Sequence, residues 1–234
     1  KLGDYLIHSH EVRDDKKVLN ILLTHNHWDH IQGFPFFKPI YVPDWPIRIF
    51  PGQVETDDKD AILQQMTSST FPVPYTMLLS DININTDITS QDHFSIDDVK
   101  VFTKALNHPG GGTAYLLETA SARVAYVTDN EINPPNTVNT SKEQWVEFYQ
   151  GVDLLIHDAQ FINEEMPGKL GWGHSTVDQV AELAIAAKVK RLALISHDPS
   201  RTDEQLDDIE CYLNKKYGDK LAIFCAAEGQ KFEF

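Results

Sequence analysis

The feature that most constrains this chain is a recurring junction, in which an apolar run gives way within a residue or two to histidine or aspartate. VLNILL at 18–23 is followed by THNHWDH at 24–30, which sets three histidines and an aspartate in seven positions. VKVFTKALN runs into His108, VAYVT into Asp129, DLLI into His157 and Asp158, and RLALIS into His197. Short runs rich in β-branched residues form strands. In layered α/β folds, the ends of strands are where sites are built. A lone histidine is most often a packing or surface residue, but ligand-type side chains at five separate strand ends point to a metal site.

Around these junctions the pattern alternates between strands and capped helices. Strands are predicted at 18–24, 39–43, 75–79, 99–106, 113–119, 123–128, 153–157, 191–196 and 221–226. KLGDYLIH at the start reads as helix. Thr140 or Ser141 opens another, with Trp145, Phe148 and Tyr149 on one face. Ser175 with Asp178 resembles a capping box, followed by Val177, Val180, Ala181, Ala184 and Ile185 at helical spacing. Thr202 with Gln205 opens a further helix along Leu206, Ile209 and Leu213, which Gly218 would stop. The segment 57–69 carries a weaker helical pattern. With 234 residues and 41% apolar content, the expectation is a single α/β domain over 1–234.

Charge narrows the function. Against 20 basic residues stand 35 acidic ones, for a net charge of −15. That balance disfavours stable nucleic-acid binding, which relies on Lys and Arg neutralising phosphates. A small anionic substrate can still bind where metal ions reverse the sign locally. No apolar run approaches the roughly 20 residues of a membrane span. Cys211 and Cys225 lie far apart and fit reduced thiols, which favours a cytoplasmic location.

His25 and His27 differ by two, so in an extended segment their side chains point the same way. Asp29 and His30 follow a turn and can address a second point. Two ligand clusters in one loop suggest two metal ions, and imidazole with carboxylate suits zinc, with manganese and iron also accommodated.

Taken in order, THNHWDHIQG, NHPGGGTAYLLE, VAYVTDNE, LLIHDAQF, GWGHST and LISHDP resemble the metallo-β-lactamase superfamily, and within it the ribonuclease Z-like phosphodiesterase branch. The resemblance spans about residue 18 to the end. It implies a four-layer αββα sandwich with metals at one edge. It places His25, His27 and His108 on one metal, Asp29, His30 and His197 on a second, and Asp129 between them. A hydroxide shared by the two ions would be the nucleophile, and the resulting site would keep a charge of about +1. Histidine rather than glutamate at position 27 favours hydrolysis over redox chemistry. His174, in GHST, corresponds to the proton donor to the leaving oxygen, oriented by Asp158, with Asp29 also counted among the catalytic groups. His157 is read as a neighbour of the ligands rather than one of them. The Gly110–Gly112 run reads either as a plain turn or as room for substrate beside the metals. The family has strands ahead of residue 1, ending in an Asp-containing turn, so the expectation is an N-terminally incomplete domain.

The twenty residues from Pro109 to Thr128 leave no room for the long arm that grips transfer RNA in ribonuclease Z. The sequence therefore favours a dinuclear metal-dependent hydrolase of small phosphodiesters, cyclic nucleotides among them. The alternatives are hydrolysis of a carboxylic ester, lactone or sulfate ester, or a non-catalytic metal-bound sensor. The resemblance also admits a homodimer.

Overall fold

The computed structural model describes residues 1–8, 18–52, 60–67, 69–85 and 93–234. They gather into two compact units, Lys1–Gln91 and Asp92–Phe234, and each carries its own sheet and hydrophobic cluster.

The first unit holds helix α1 (Leu2–His8), strand β1 (Leu19–Leu22), the single helical turn α2 (Trp28–Ile31), β2 (Pro46–Phe50), α3 (Ala61–Gln64) and β3 (Asp81–Ile84). Its three strands are parallel in the order β1-β2-β3, with Leu19 beside Ile47 and Pro46 beside Asp81. Ile47 and Ile49 of the central strand pack with Leu23, Ile31, Phe34, Ile40, Ile62 and Met66.

Two predicted strands are displaced here. Residues 39–43 and 75–79 fall on 3₁₀ turns, Lys38–Tyr41 and Tyr75–Met77, and the true strands follow a few residues later. Pro39 fixes its own φ and has no N–H to give to a ladder, so a tight turn suits it. Pro46 is tolerated in β2 because it is the strand's first residue. Of the weak helix at 57–69, one turn is described as α3; residues 57–59 and 68 lie outside the described residues.

The second unit is a seven-stranded sheet. Its strands are β4 (His93–Ile96), β5 (Val99–Ala105), β6 (Thr113–Glu118), β7 (Arg123–Val127), β8 (Leu154–Asp158), β9 (Arg191–Ile195) and β10 (Ala222–Cys225), in the order β10-β9-β8-β7-β6-β5-β4. β4 to β7 form an antiparallel meander, whereas β7 to β10 run parallel. Each parallel step is bridged by a helix: α4 (Lys142–Phe148) between β7 and β8, α6 (Val177–Ala186) between β8 and β9, and α7 (Asp203–Tyr217) between β9 and β10. A further turn of helix, α5 (Met166–Lys169), precedes α6. β8 and β9 read as almost unbroken apolar runs because parallel strands are covered on both faces. Strand β4, which the sequence pattern did not predict, is short and only partly buried.

Three capping boxes start α4, α6 and α7: Ser141 with Gln144, Thr176 with Gln179, and Thr202 with Gln205. The middle one lies one residue beyond the predicted Ser175 start. The Ser175 hydroxyl is engaged elsewhere, donating to the Asn130 carbonyl at 2.6 Å and accepting the Ile132 N–H at 3.1 Å. Gly218 caps α7 as expected. Both cysteines are free. Among the described residues, no helix is long and apolar enough to cross a membrane.

Strand direction decides where the chemistry gathers. β7, β8 and β9 are parallel, so their C-terminal ends lie along one edge of the sheet. β5 is two antiparallel steps from β7 and therefore ends on that same edge. His108, Asp129, Asp158 and His197 sit at or just beyond those four ends.

Candidate metal centre

In the first unit, the chain leaves β1 extended and turns at α2, whose N-cap position is His27. The turn sets His30 over His25, with ring centroids 4.1 Å apart, and His27 sits edge-on to His25 at 4.8 Å. Asp29 Oδ2 lies 3.4 Å from His30 Nε2. His25 is fully buried and its Nδ1 shares a hydrogen bond with Thr24 Oγ1 at 3.3 Å, while Asp29 and His27 are exposed. Gly52, just past β2, leaves the room this needs: a Cβ there would come within 1.9 Å of the Thr24 carbonyl oxygen. Nothing in the local sequence around Gly52 signalled that contact.

In the second unit, His108 is held as a metal ligand is held. Its Nδ1 donates to the Gly173 carbonyl at 3.1 Å. A carbonyl only accepts, so Nδ1 carries the proton and the lone pair is on Nε2. Nε2 faces Asp129 Oδ2 at 3.8 Å, both of them deeply buried. Two lone-pair donors turned toward each other, away from water, fit a shared cation. Gly173 is required here: it has φ +87°, and a Cβ would lie 2.2 Å from His108 Nδ1.

Asp129 and Ser196 both take positive φ, 26° and 55°. The Ser196 hydroxyl donates to Asp129 Oδ1 at 3.4 Å. Left-handed backbone at the ends of β7 and β9, on either side of β8, is strain of the kind that functional sites store. His197 follows Ser196. Its Nε2 is buried with no hydrogen-bond partner among the described residues, and burial holds its pKa below the usual histidine range. A neutral imidazole with an unused nitrogen is in its ligating form.

Asp158 and His174 form a pair. His174 Nδ1 lies 2.9 Å from Asp158 Oδ1, and the other carboxylate oxygen accepts the Ser175 N–H at 2.8 Å. Asp158 is fully buried, and burial raises its carboxyl to about 6 despite the His174 hydrogen bond that opposes the rise. At neutral pH it is an anion directed at the imidazole. Asp129, Asp158 and His174 offer ligand-type atoms within 4.8 Å of one another.

His157 belongs to the scaffold. Successive strand residues face opposite ways, so it points away from the Asp158 carboxylate. Its Nδ1 donates to the Asp158 carbonyl at 2.7 Å, its ring sits edge-on against Tyr149, and its Nε2 is 3.5 Å from the Asn130 amide nitrogen. Burial pulls its pKa down to about 4. Asn130 Oδ1 in turn accepts the Asn107 N–H at 2.9 Å. The Asn107 side chain is satisfied on every side: it donates to the Glu131 and Thr140 carbonyls and accepts from the Asn139 and Thr140 amides. This buried chain fixes the backbone immediately before His108. Sequence reading passed over Asn107, Asn130, Glu131 and Gly173; their only signal is adjacency to the ligand motifs. Of the histidines outside these motifs, His8 and His93 are exposed, and His10 lies outside the described residues.

Comparisons with known proteins bear on the family and the fold. The curated relatives include ribonuclease Z of Saccharolobus islandicus (strain Y.G.57.14 / Yellowstone #1), 39% identical over 89 residues that make up 38% of this chain and 27% of that protein. The chain thus spans about a quarter of the length of the curated relatives it matches. Among solved structures, a diphosphatase of the PhnP family aligns over 95% of this chain and 74% of its own, with a TM-score of 0.62 and 19% identity. The short form of human tRNase Z aligns over 92% and 78%, with a TM-score of 0.59 and 18% identity. The metallo-β-lactamase fold protein YhfI from Bacillus subtilis aligns over 88% and 74%, also at 0.59, with 16% identity. The expected metallo-β-lactamase fold is therefore the fold of this chain. Relatives named for RNA cleavage stand against the expectation of no nucleic-acid binding, which was argued from net charge alone. The model of the β-lactamase superfamily domain matches residues 5–197, and the chain belongs to that superfamily.

Proposed function

We propose that the chain is a metal-dependent hydrolase of phosphodiesters. In this reading the units Lys1–Gln91 and Asp92–Phe234 act as one metallohydrolase domain. His25, His27 and His108 bind one divalent ion, Asp29, His30 and His197 a second, and Asp129 is common to both. Zinc suits these donors, and manganese and iron are close alternatives. When bound, such ions supply Lewis acidity toward a phosphoryl oxygen and lower the pKa of water toward neutrality.

The observation that carries the reading is the His174–Asp158 pair on the same sheet edge as His108 and Asp129. A site that only stored metal would need no such pair. With Nδ1 turned to the buried carboxylate, Nε2 is left as the end that gives up a proton. The Asp158 anion favours the imidazolium, and the leaving oxygen takes the Nε2 proton as the ester P–O bond breaks. Asp158 keeps the ring in place through both protonation states. The preferred substrates are small phosphodiesters, cyclic nucleotides included. A second reading, cleavage of RNA, is favoured by the names of the relatives, ribonuclease Z and tRNase Z.

The test is hydrolysis of bis(p-nitrophenyl) phosphate by zinc- and manganese-loaded protein, with metal content measured in the same sample. Turnover that chelation and Asp129→Asn both abolish supports the reading. Two bound metals per chain with no turnover on this diester, on cyclic nucleotides or on RNA would exclude it.

A further inference from the structure

Trp172 is a large indole left 57% exposed, and it is also firmly held. It stands between two glycines of positive φ, Gly171 at 85° and Gly173 at 87°. All three consecutive amides are bonded. The Gly171 N–H donates to both oxygens of the buried Glu131 carboxylate (3.0 and 3.1 Å), the Trp172 N–H to the Lys169 carbonyl (3.1 Å), and the Gly173 N–H to Glu131 Oε2 (3.0 Å). Bonds to a buried anion are among the stronger ones a backbone makes. The exposed indole therefore sits on a loop pinned by a carboxylate in the interior.

Its neighbours make the position specific. Lys169 Nζ lies 3.9 Å from the Trp172 ring centroid and 5.4 Å from that of Phe161, and Phe161 packs edge-on against His174 at 5.8 Å. A row of Trp172, Lys169, Phe161 and His174 therefore leads from the solvent to the proton donor, with one positive charge in the middle. An indole with a cation beside it attracts a flat, electron-rich ring attached to an anion. It has little to offer an aliphatic group, which would bind no better here than elsewhere on the surface.

On the reading that His174 serves phosphodiester cleavage, we infer that Trp172, backed by Lys169, is the face on which the nucleobase of a nucleoside-bearing phosphodiester stacks. It is a binding residue and sets substrate class rather than the rate of the chemical step. Its place on a rigid loop spares the substrate the cost of ordering it.

Two measurements test this. The first compares thymidine 5′-(p-nitrophenyl phosphate) with methyl p-nitrophenyl phosphate, which shares the leaving group and lacks the base. Trp172→Ala is expected to raise KM for the thymidine diester about tenfold with kcat held, to leave the methyl diester unchanged, and to be largely rescued by Trp172→Phe. Equal effects on both substrates, or none on either, overturn the inference. The second needs no turnover: quenching of tryptophan fluorescence in the isolated protein by AMP against ribose 5-phosphate, in a Trp28→Phe background. Saturable quenching by AMP alone, lost in Trp172→Ala, supports the stacking face even if no diester is hydrolysed, in which case only the catalytic reading fails. Absence of AMP-specific quenching overturns the stacking face whatever the kinetics.

Discussion

At the scale of single residues, geometry separates groups that act from groups that hold. His174→Ala should lower kcat about 10²- to 10⁴-fold, the usual range for a general acid, while metal content by elemental analysis stays at the wild-type level; unchanged turnover would remove His174 from the mechanism. Gly173→Ala should act in the opposite way. Its Cβ would collide with the His108 imidazole, so metal stoichiometry or affinity falls first, and activity falls in proportion. His157 offers a pH signature. Its folded pKa is near 4 against 6.5 for the free side chain, so the folded state resists a proton that the unfolded chain accepts. The stability it permits is present above pH 6.5 and is lost as pH falls toward 4. Asp158 works the other way: raised to about 6 from 3.8, it binds its proton more readily in the fold, and its contribution declines as pH rises through 6. The two oppose each other, so the difference between variants is the clean measure. Urea unfolding of His157→Gln and wild type should show the variant gaining relative stability between pH 6.5 and pH 5, and a constant difference would contradict the burial of a neutral ring.

At the scale of elements, what matters is how loops at strand ends are made stiff enough to hold ligands. Glu131 does this for the loop that carries Trp172, Gly173 and His174. Glu131→Gln keeps the shape but replaces one accepting oxygen by a donating NH₂ and removes the charge, so of the three bonds from Gly171 and Gly173 at most the two to the remaining oxygen survive. The expected cost is ~1.5–3 kcal/mol, with faster hydrogen exchange at Gly171 and Gly173 and no comparable change in β8. Elements also show where sequence reading works. In the second unit, each predicted strand from 99–106 onward became a strand: β5, β6 and β7 pair as antiparallel neighbours along their length, and β8 and β9 are apolar runs covered on both faces of the parallel part. In the first unit, 39–43 and 75–79 became turns. Those segments carry the right side chains, but Pro39 and the packing of Ile40 into the core favour 3₁₀ geometry, and PIRIF, starting with a proline, took the central strand instead. Likewise Ser175 and Thr176 are equally good caps by composition. The hydrogen bonds of Ser175 to Asn130 and Ile132, from a different part of the chain, decide between them.

At the scale of the whole molecule, the proposal is that ligands far apart in sequence share two ions. Chelation should therefore lower Tm as well as abolish turnover, since a ligand bound only by the native state adds stability by mass action. Zinc titrated back should restore both with two ions per chain; a Tm indifferent to chelator would mean that the metals do not couple to the fold. The sequence by itself determined the chemistry on offer: the ligand types, the strands they follow, the α/β class and the superfamily. These are local facts, set by side-chain period and by the few residue types that bind divalent ions. Tertiary structure alone decided how those groups are held. Asn107, Asn130, Glu131 and Gly173 carry no motif of their own, and their roles depend on contacts across 23 to 65 residues of sequence. A hydrogen bond to a distant backbone leaves no periodic trace in the chain that makes it, which is why these residues become visible only once β5, β7 and β8 end on one edge of one sheet.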